Sequence, residues 1–139
     1  MNNKEIYIYP AIFYQEDIGY SVTFPDIPEA ITEGDTLEEA YTMAKNVLGL
    51  VFTDYESRNE KLPTPSELNK VQKEITTTNC EEEYLVLVEF DFLAYKKKHM
   101  KKSVKKTLTI PMWLNDLAEK NNINFSQLLQ EALKNKLDV

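Results

Sequence analysis

The chain has 139 residues, 42% of them hydrophobic and 28% charged, with 8 Tyr, 6 Phe and 1 Trp. That is enough apolar and aromatic surface to offset chain entropy, but only for one modest core or one small domain with an appendage, which excludes a large multidomain enzyme. Sixteen Lys and Arg against 23 Asp and Glu give a net charge of −7, an average that taken alone argues against nucleic acid. No apolar run approaches the roughly 20 residues of a membrane-spanning helix, and the opening MNNKEIYIYP lacks the apolar segment of a secretory signal, so a soluble cytoplasmic protein is expected. Cys80 is the only cysteine and His99 the only histidine, which leaves neither an internal disulfide nor a zinc site of Cys and His ligands.

The average charge conceals a division. Residues 1–95 hold six Lys and Arg against 19 Asp and Glu, a net −13, whereas residues 96–139 hold ten Lys against four Asp and Glu, a net +6. Two modules with different partners follow, the acidic one suited to a basic protein and the basic one to phosphate. Between Lys96 and Lys106 the run KKKHMKKSVKK holds seven lysines and almost nothing apolar, so residues 96–104 read as an exposed basic linker joining a domain at 1–95 to one at 105–139.

In the first module, IYIYPAIFY is a β-branched and aromatic strand with an edge or a bulge at Pro10, which has no N–H to donate. Residues Glu16 to Gly19 turn the chain, and Tyr20, Val22 and Phe24 alternate with Ser21 and Thr23 as the second arm of a hairpin. Ala30 to Glu33 allows a short third strand. Thr36 and Glu39 have capping-box spacing, and Leu37, Ala40, Tyr41, Ala44, Leu48, Val51, Phe52 and Tyr55 then form a helical apolar stripe. A short helix over Ser66 to Lys73 and a strong strand over Tyr84 to Leu93 complete the module.

The stretch GYSVTFPDIPEAITEGDTLEEAYTMA, Gly19 to Ala44, resembles the N-terminal module of HicB-like antitoxins in its FPD-x-P step and its GDTLEEA helix entry. The resemblance covers roughly the first ninety residues. It implies an α+β chain whose first module is a partial RNase H-like β-β-β-α-β fold, and a partner, a small basic HicA-like mRNA-cleaving toxin whose active site the antitoxin covers. Asp17, Tyr20, Asp26, Glu38 and Glu39 are the residues proposed for the toxin-binding surface.

In the second module, Val104, Leu108 and Ile110 share one strand face and Lys105, Thr107 and Thr109 the other, with Lys106 the polar exception on the apolar side. Pro111 ends the strand and opens a helix carrying Leu114, Leu117 and Ala118, which turns at Asn121 and Asn122. Asn124 and Gln127 again have capping-box spacing, ahead of a second helix with Phe125, Leu128, Leu129, Ala132, Leu133 and Leu137 on its apolar side. One strand and two short helices cannot satisfy their own strand edge or bury so many leucines, so a homodimer is expected. KKTLTIP followed by NINFSQLLQEAL resembles the ribbon-helix-helix (β-α-α) fold of bacterial repressors. In that fold a two-stranded ribbon enters the major groove, and Lys105, Thr107 and Thr109 match its base-reading positions. The second helix start at Asn124, Phe125 and Ser126 offers amides to a phosphate, and Lys101 and Lys102 add sequence-blind attraction.

Bland readings weigh against other chemistry. Asp17, Asp26, Asp35 and Glu38 suggest metal-dependent phosphodiester cleavage only through the fold, and scattered acids are more often solvated surface. His99 among lysines has no carboxylate near it in sequence, and Cys80 precedes three glutamates that raise its pKa. Trp113 reads as core or dimer interface. The expected function is an antitoxin that neutralises its toxin and represses its own operon at a double-stranded operator, in a heterotetramer or larger assembly with toxin. It has no catalytic residue, metal or cofactor and joins the nucleoid when bound to the operator. The rivals are a ligand-sensing ribbon-helix-helix repressor and a metal-dependent nuclease.

Overall fold

The computed structural model describes residues 5–78 and 82–139. It divides into one unit spanning Glu5–His99 and another containing Met100–Val139. The first unit is built on a four-stranded antiparallel sheet of β1 (Ile6–Gln15), β2 (Tyr20–Thr23), β3 (Ile31–Gly34) and β4 (Glu83–Asp91), in the order β3-β2-β1-β4. Helix α1 (Leu37–Ser57) covers one face, and α2 (Leu68–Thr78) reaches only part of the other.

Strand β1 is central, yet it contains Pro10. Its pairing with β4 runs from Ile6 opposite Asp91 to Tyr14 opposite Glu83, whereas β2 joins it only from Ile12 onward. On the β4 side, the outward carbonyl of Leu87 accepts the Tyr41 hydroxyl at 3.3 Å and the outward amide of Glu89 donates to that hydroxyl at 3.4 Å. Leu87 stands opposite Pro10, so this pair exchanges no ladder hydrogen bonds and the proline nitrogen turns toward the side that β2 has not reached. The strand tolerates proline because it has a local edge there.

Alternation then sorts the side chains. Tyr9, Ala11 and Phe13 of β1, Val22 of β2 and Val88 and Phe90 of β4 face α1 and are buried against Ala40, Ala44, Leu48 and Phe52. Phe52 lies at the centre, nearly perpendicular to Tyr7, Phe90 and Phe92 at ring-centroid distances of 5.1, 5.1 and 5.5 Å. Leu37, at one end of the expected stripe, is half exposed. Thr36 caps α1, its hydroxyl accepting the Glu39 amide at 3.1 Å. The return bond of the box goes to a neighbour, since the Glu39 carboxylate accepts the amide of Asp35 at 3.3 Å.

The chain after β4 departs from expectation. Phe92–His99 form a helix, α3, instead of ending a strand and opening a linker at Lys96. Asp91 starts it by accepting the Ala94 amide at 2.9 Å. Phe92 and Tyr95, three residues apart, then turn together onto the α1 side, where Tyr95 packs over Gly49. Lys96 is drawn in with them, bonding Glu56 at 2.9 Å and Glu5 at 3.3 Å. The following segment, 100–110, forms neither helix nor strand. Helices α4 (Met112–Lys120) and α5 (Phe125–Leu137) follow.

A Cβ added at Gly49 would lie 2.2 Å from Cε2 of Tyr95. Alanine prefers a helix over glycine by about 1 kcal/mol, while overpacking costs about 1–3 kcal/mol. Gly49→Ala should therefore destabilise the chain in urea unfolding. In a Tyr95→Ala background the sign should reverse, because only the helix preference remains.

Candidate partner and nucleic-acid interfaces

The acidic residues singled out in the first unit fall into two places. Gly19, at φ +80°, closes the β1–β2 turn, and a side chain there would meet the Gly34 carbonyl at 2.3 Å and Asp35 Cα at 2.9 Å. This close approach puts the turn bearing Asp17 and Tyr20 beside the β3–α1 corner that bears Asp35, Glu38 and Glu39. Asp17, Glu38 and Glu39 are exposed, while Tyr20 is half-buried against the core.

Asp26 lies beyond the other end of β2 and does not join that corner. Its carboxylate accepts the amide of Ser66 at 2.9 Å and, on the other oxygen, the Ser66 hydroxyl. The FPD step thus fastens the chain just ahead of α2. Tyr9 holds the same loop, its hydroxyl donating to the Pro63 carbonyl. Spacing alone could not reveal either tie, since they join residues 40 and 54 positions apart. Among the described residues no three His, Cys, Asp or Glu side chains gather as metal ligands. Cys80 lies outside the described residues.

His99 is exposed, as expected, but it ends α3 instead of lying in a linker, with its ring 4.3 Å from that of Tyr95. Beside it, Lys96 is set over the Phe92 ring at 4.2 Å and bridges two carboxylates. Burial disfavours its charge, but the hydrogen bonds to Glu56 and Glu5 outweigh that cost and raise its pKa above the ordinary lysine value. Of the lysines counted toward the basic run, this one is already engaged inside the acidic unit.

Among the described residues of the second unit none is buried. Lys101, Lys102, Lys105, Thr107 and Thr109 are exposed, and so are Val104, Leu108 and Ile110 on the opposite parity. The strand expected over residues 104–110 does not form in the single chain, where the segment is neither helix nor strand, because a strand needs a partner edge. Helix α4 starts after Pro111, and Asn122, at φ 54°, makes the turn into α5. Asn124 caps α5 by accepting the Gln127 amide at 3.1 Å, while the Gln127 side chain bonds Glu131 at 3.3 Å instead of reaching back to the cap. Phe125 and Ser126 head the helix, where amides have no intrahelical acceptor.

Around these elements lie two apolar grooves. One, of about 580 Å³, is lined by Ile110, Leu114, Leu117, Ile123, Phe125 and Leu128. The other, of about 500 Å³, brings Lys106, Leu108 and Ile110 beside Phe125, Ser126 and Leu129. Trp113, expected in a core or an interface, is 64% exposed in the single chain.

A sheet-and-helix unit is thus followed by a basic unit whose described residues form no core. The family model described as "HicB_like antitoxin of bacterial toxin-antitoxin system" matches residues 9–133, and the chain belongs to that family. It is 48% identical over 58 residues to Antitoxin HicB 2 of Photorhabdus laumondii, a stretch that is 42% of this chain and 42% of that protein. The chain therefore matches well under half the length of this curated relative. A chain of the toxin-antitoxin complex from Streptococcus pneumoniae is 29% identical with a TM-score of 0.58, the match covering 94% of this chain and 99% of that one. A chain of a HicA3 and HicB3 toxin-antitoxin complex shares the fold at 21% identity and a TM-score of 0.53, over 61% of this chain and 99% of its own length. No helix among the described residues is long and apolar enough to cross a membrane.

Burial, followed by the nearby Tyr7 and Asp26, pushes the ionisation of Tyr9 up from 10.0 to about 12. The folded state thus favours the neutral phenol. The stabilisation is whole below pH 10 and is lost as pH rises toward 12. In a titration followed by phenolate absorbance, Tyr9→Phe should remove a phenol that ionises near pH 12; an unchanged high-pH limb would refute the assignment.

Proposed function

We propose that the chain neutralises a small basic HicA-like mRNA-cleaving toxin with its first unit and represses its own operon with its second. The chain acts as a binder, not a catalyst. The observation that carries the DNA half of this reading is that no described residue of the second unit is buried, that residues 100–110 form no strand in the single chain and that its apolar grooves are open. A second copy supplies what is missing: antiparallel pairing of two 104–110 segments satisfies both strand edges, and four helices then share one core. This is the ribbon-helix-helix arrangement, in a unit following what we read as a partial RNase H-like β-β-β-α-β module.

Pairing through Leu108 and Ile110 turns Lys105, Thr107 and Thr109 outward on the ribbon, where Lys105 donates to guanine and the threonines bond base edges or touch thymine methyls. Asn124, Phe125 and Ser126 set the α5 start against a phosphate, and Lys101 and Lys102 add charge without reading sequence. In the first unit, the corner of Asp17, Tyr20, Glu38 and Glu39 attracts the cationic toxin, while Asp26, beyond the other end of β2, holds the loop ahead of α2. The paired chains and their toxin make a heterotetramer or larger assembly in the cytoplasm, at the nucleoid when the operator is occupied. The comprehensive test is RNA cleavage by the co-purified toxin, which the added chain should suppress in stoichiometric proportion.

Leu128→Asp should leave the first unit folded and yield a monomer by sedimentation, with operator binding gone; a dimer that survives it would exclude the shared core. Thr107→Ala should weaken binding to the operator by about 1 kcal/mol, roughly fivefold, and leave random DNA unaffected. Replacing Lys101 and Lys102 by Ala should weaken both DNAs alike and reduce the salt slope by about 2. Equal loss on every sequence from Thr107→Ala would remove its base-reading role.

A further inference from the structure

The face of the sheet opposite α1 is only half covered. Val71 and Ile75 of α2 pack on Ile12, Tyr14 and Leu85, at the end where β1 finishes and β4 begins. At the other end Ile6, Ile8 and Leu87 remain 49%, 53% and 45% exposed. The register makes them neighbours: Ile6 and Ile8 are successive outward positions on β1, and Leu87 lies diagonal to Ile8, one step along from Glu89. Three large aliphatic side chains therefore form one patch, bordered on β4 by the exposed Glu89 and Asp91. Contiguous exposed apolar surface with a charged rim is characteristic of a protein-binding site.

We propose that this open half of the sheet, with Ile6, Ile8 and Leu87 at its centre and Glu89 and Asp91 on its rim, seats the cationic toxin. The inference rests on the antitoxin reading and adds the place of contact. Two observations define the mode. The β4 edge beside the patch is plugged, because the Tyr41 hydroxyl already serves the Leu87 carbonyl and the Glu89 amide; the partner lies on the sheet face and does not lengthen the sheet. The charge selects the occupant. Residues 1–95 carry a net −13, so a second copy would bring like-charged rims together, whereas a basic protein meets an acidic one. The corner at Asp17, Glu38 and Glu39 then steers the encounter, and the aliphatic patch holds the complex.

Steering and holding separate in kinetics, since rim charges govern association and buried contacts govern dissociation. The full-length chain and the toxin that co-purifies with it are measured by surface plasmon resonance. Ile8→Lys with Leu87→Lys should raise the dissociation rate at least about tenfold at an unchanged melting temperature. Glu38→Lys with Glu39→Lys should lower the association rate and its salt dependence, with dissociation little changed. Hydrogen exchange in the complex should slow around Ile6, Ile8 and Leu87. Tight binding by wild type with an equally slow dissociation from the Ile8 and Leu87 variant overturns this surface while leaving the antitoxin reading intact. Loss of self-association in place of toxin binding assigns the patch to a second copy and overturns it too. A wild-type chain that binds no toxin overturns both.

Discussion

Phe52 is the point on which the first unit depends. Its ring stands edge-on to Tyr7, Tyr9, Phe90 and Phe92, and these four rings come from β1, β4 and the start of α3. One side chain of α1 thereby fixes the helix to the two longest strands and fixes the element that follows them. Edge-to-face contacts have preferred geometry as well as area, so the packing specifies an arrangement and not merely a collapse. The turns and caps around this centre, at Gly19 and Thr36, bring the chain back to it.

The second unit obeys a different constraint. It has well-formed helices, each with an identifiable start and stop, but no interior. Its apolar residues border grooves of several hundred Å³ that one copy cannot close. Such a unit is specified locally and, under the proposed pairing, is completed by a second copy, the reverse of the first unit, where partners 40 and 54 residues apart are joined within one chain.

How much was legible follows from range. The Thr36 and Asn124 caps, the alternation of Tyr20, Val22 and Phe24, and the stripe of Ala40, Ala44, Leu48 and Phe52 depend on spacing within a few residues, and periodicity exposes such spacing directly. Helix α3 was hidden because Val86, Val88, Phe90 and Phe92 keep one alternating pattern across the strand-to-helix change. The signal that marks it is Asp91 three residues before Ala94, with Phe92 and Tyr95 at helical spacing. The lysine run concealed Lys96, since nothing in composition separates a lysine bound by Glu5 and Glu56 from its solvated neighbours. In the site, the strand expected over 104–110 is absent from the single chain because it has no partner edge there, while the clamp of Asp26 on Ser66, the plug of Tyr41 on β4 and the bare patch at Ile6, Ile8 and Leu87 exist only once the sheet is assembled.

The missing interior of residues 100–139 also bears on how long the chain survives. A lone copy presents a segment outside helix and strand and exposed leucines to any protease, and cleavage tracks the population that is open. Under the proposed pairing, shared burial makes that population fall as the chain accumulates and grow as it is diluted. Turnover would therefore accelerate when synthesis stops, giving the chain a lifetime that measures its own abundance.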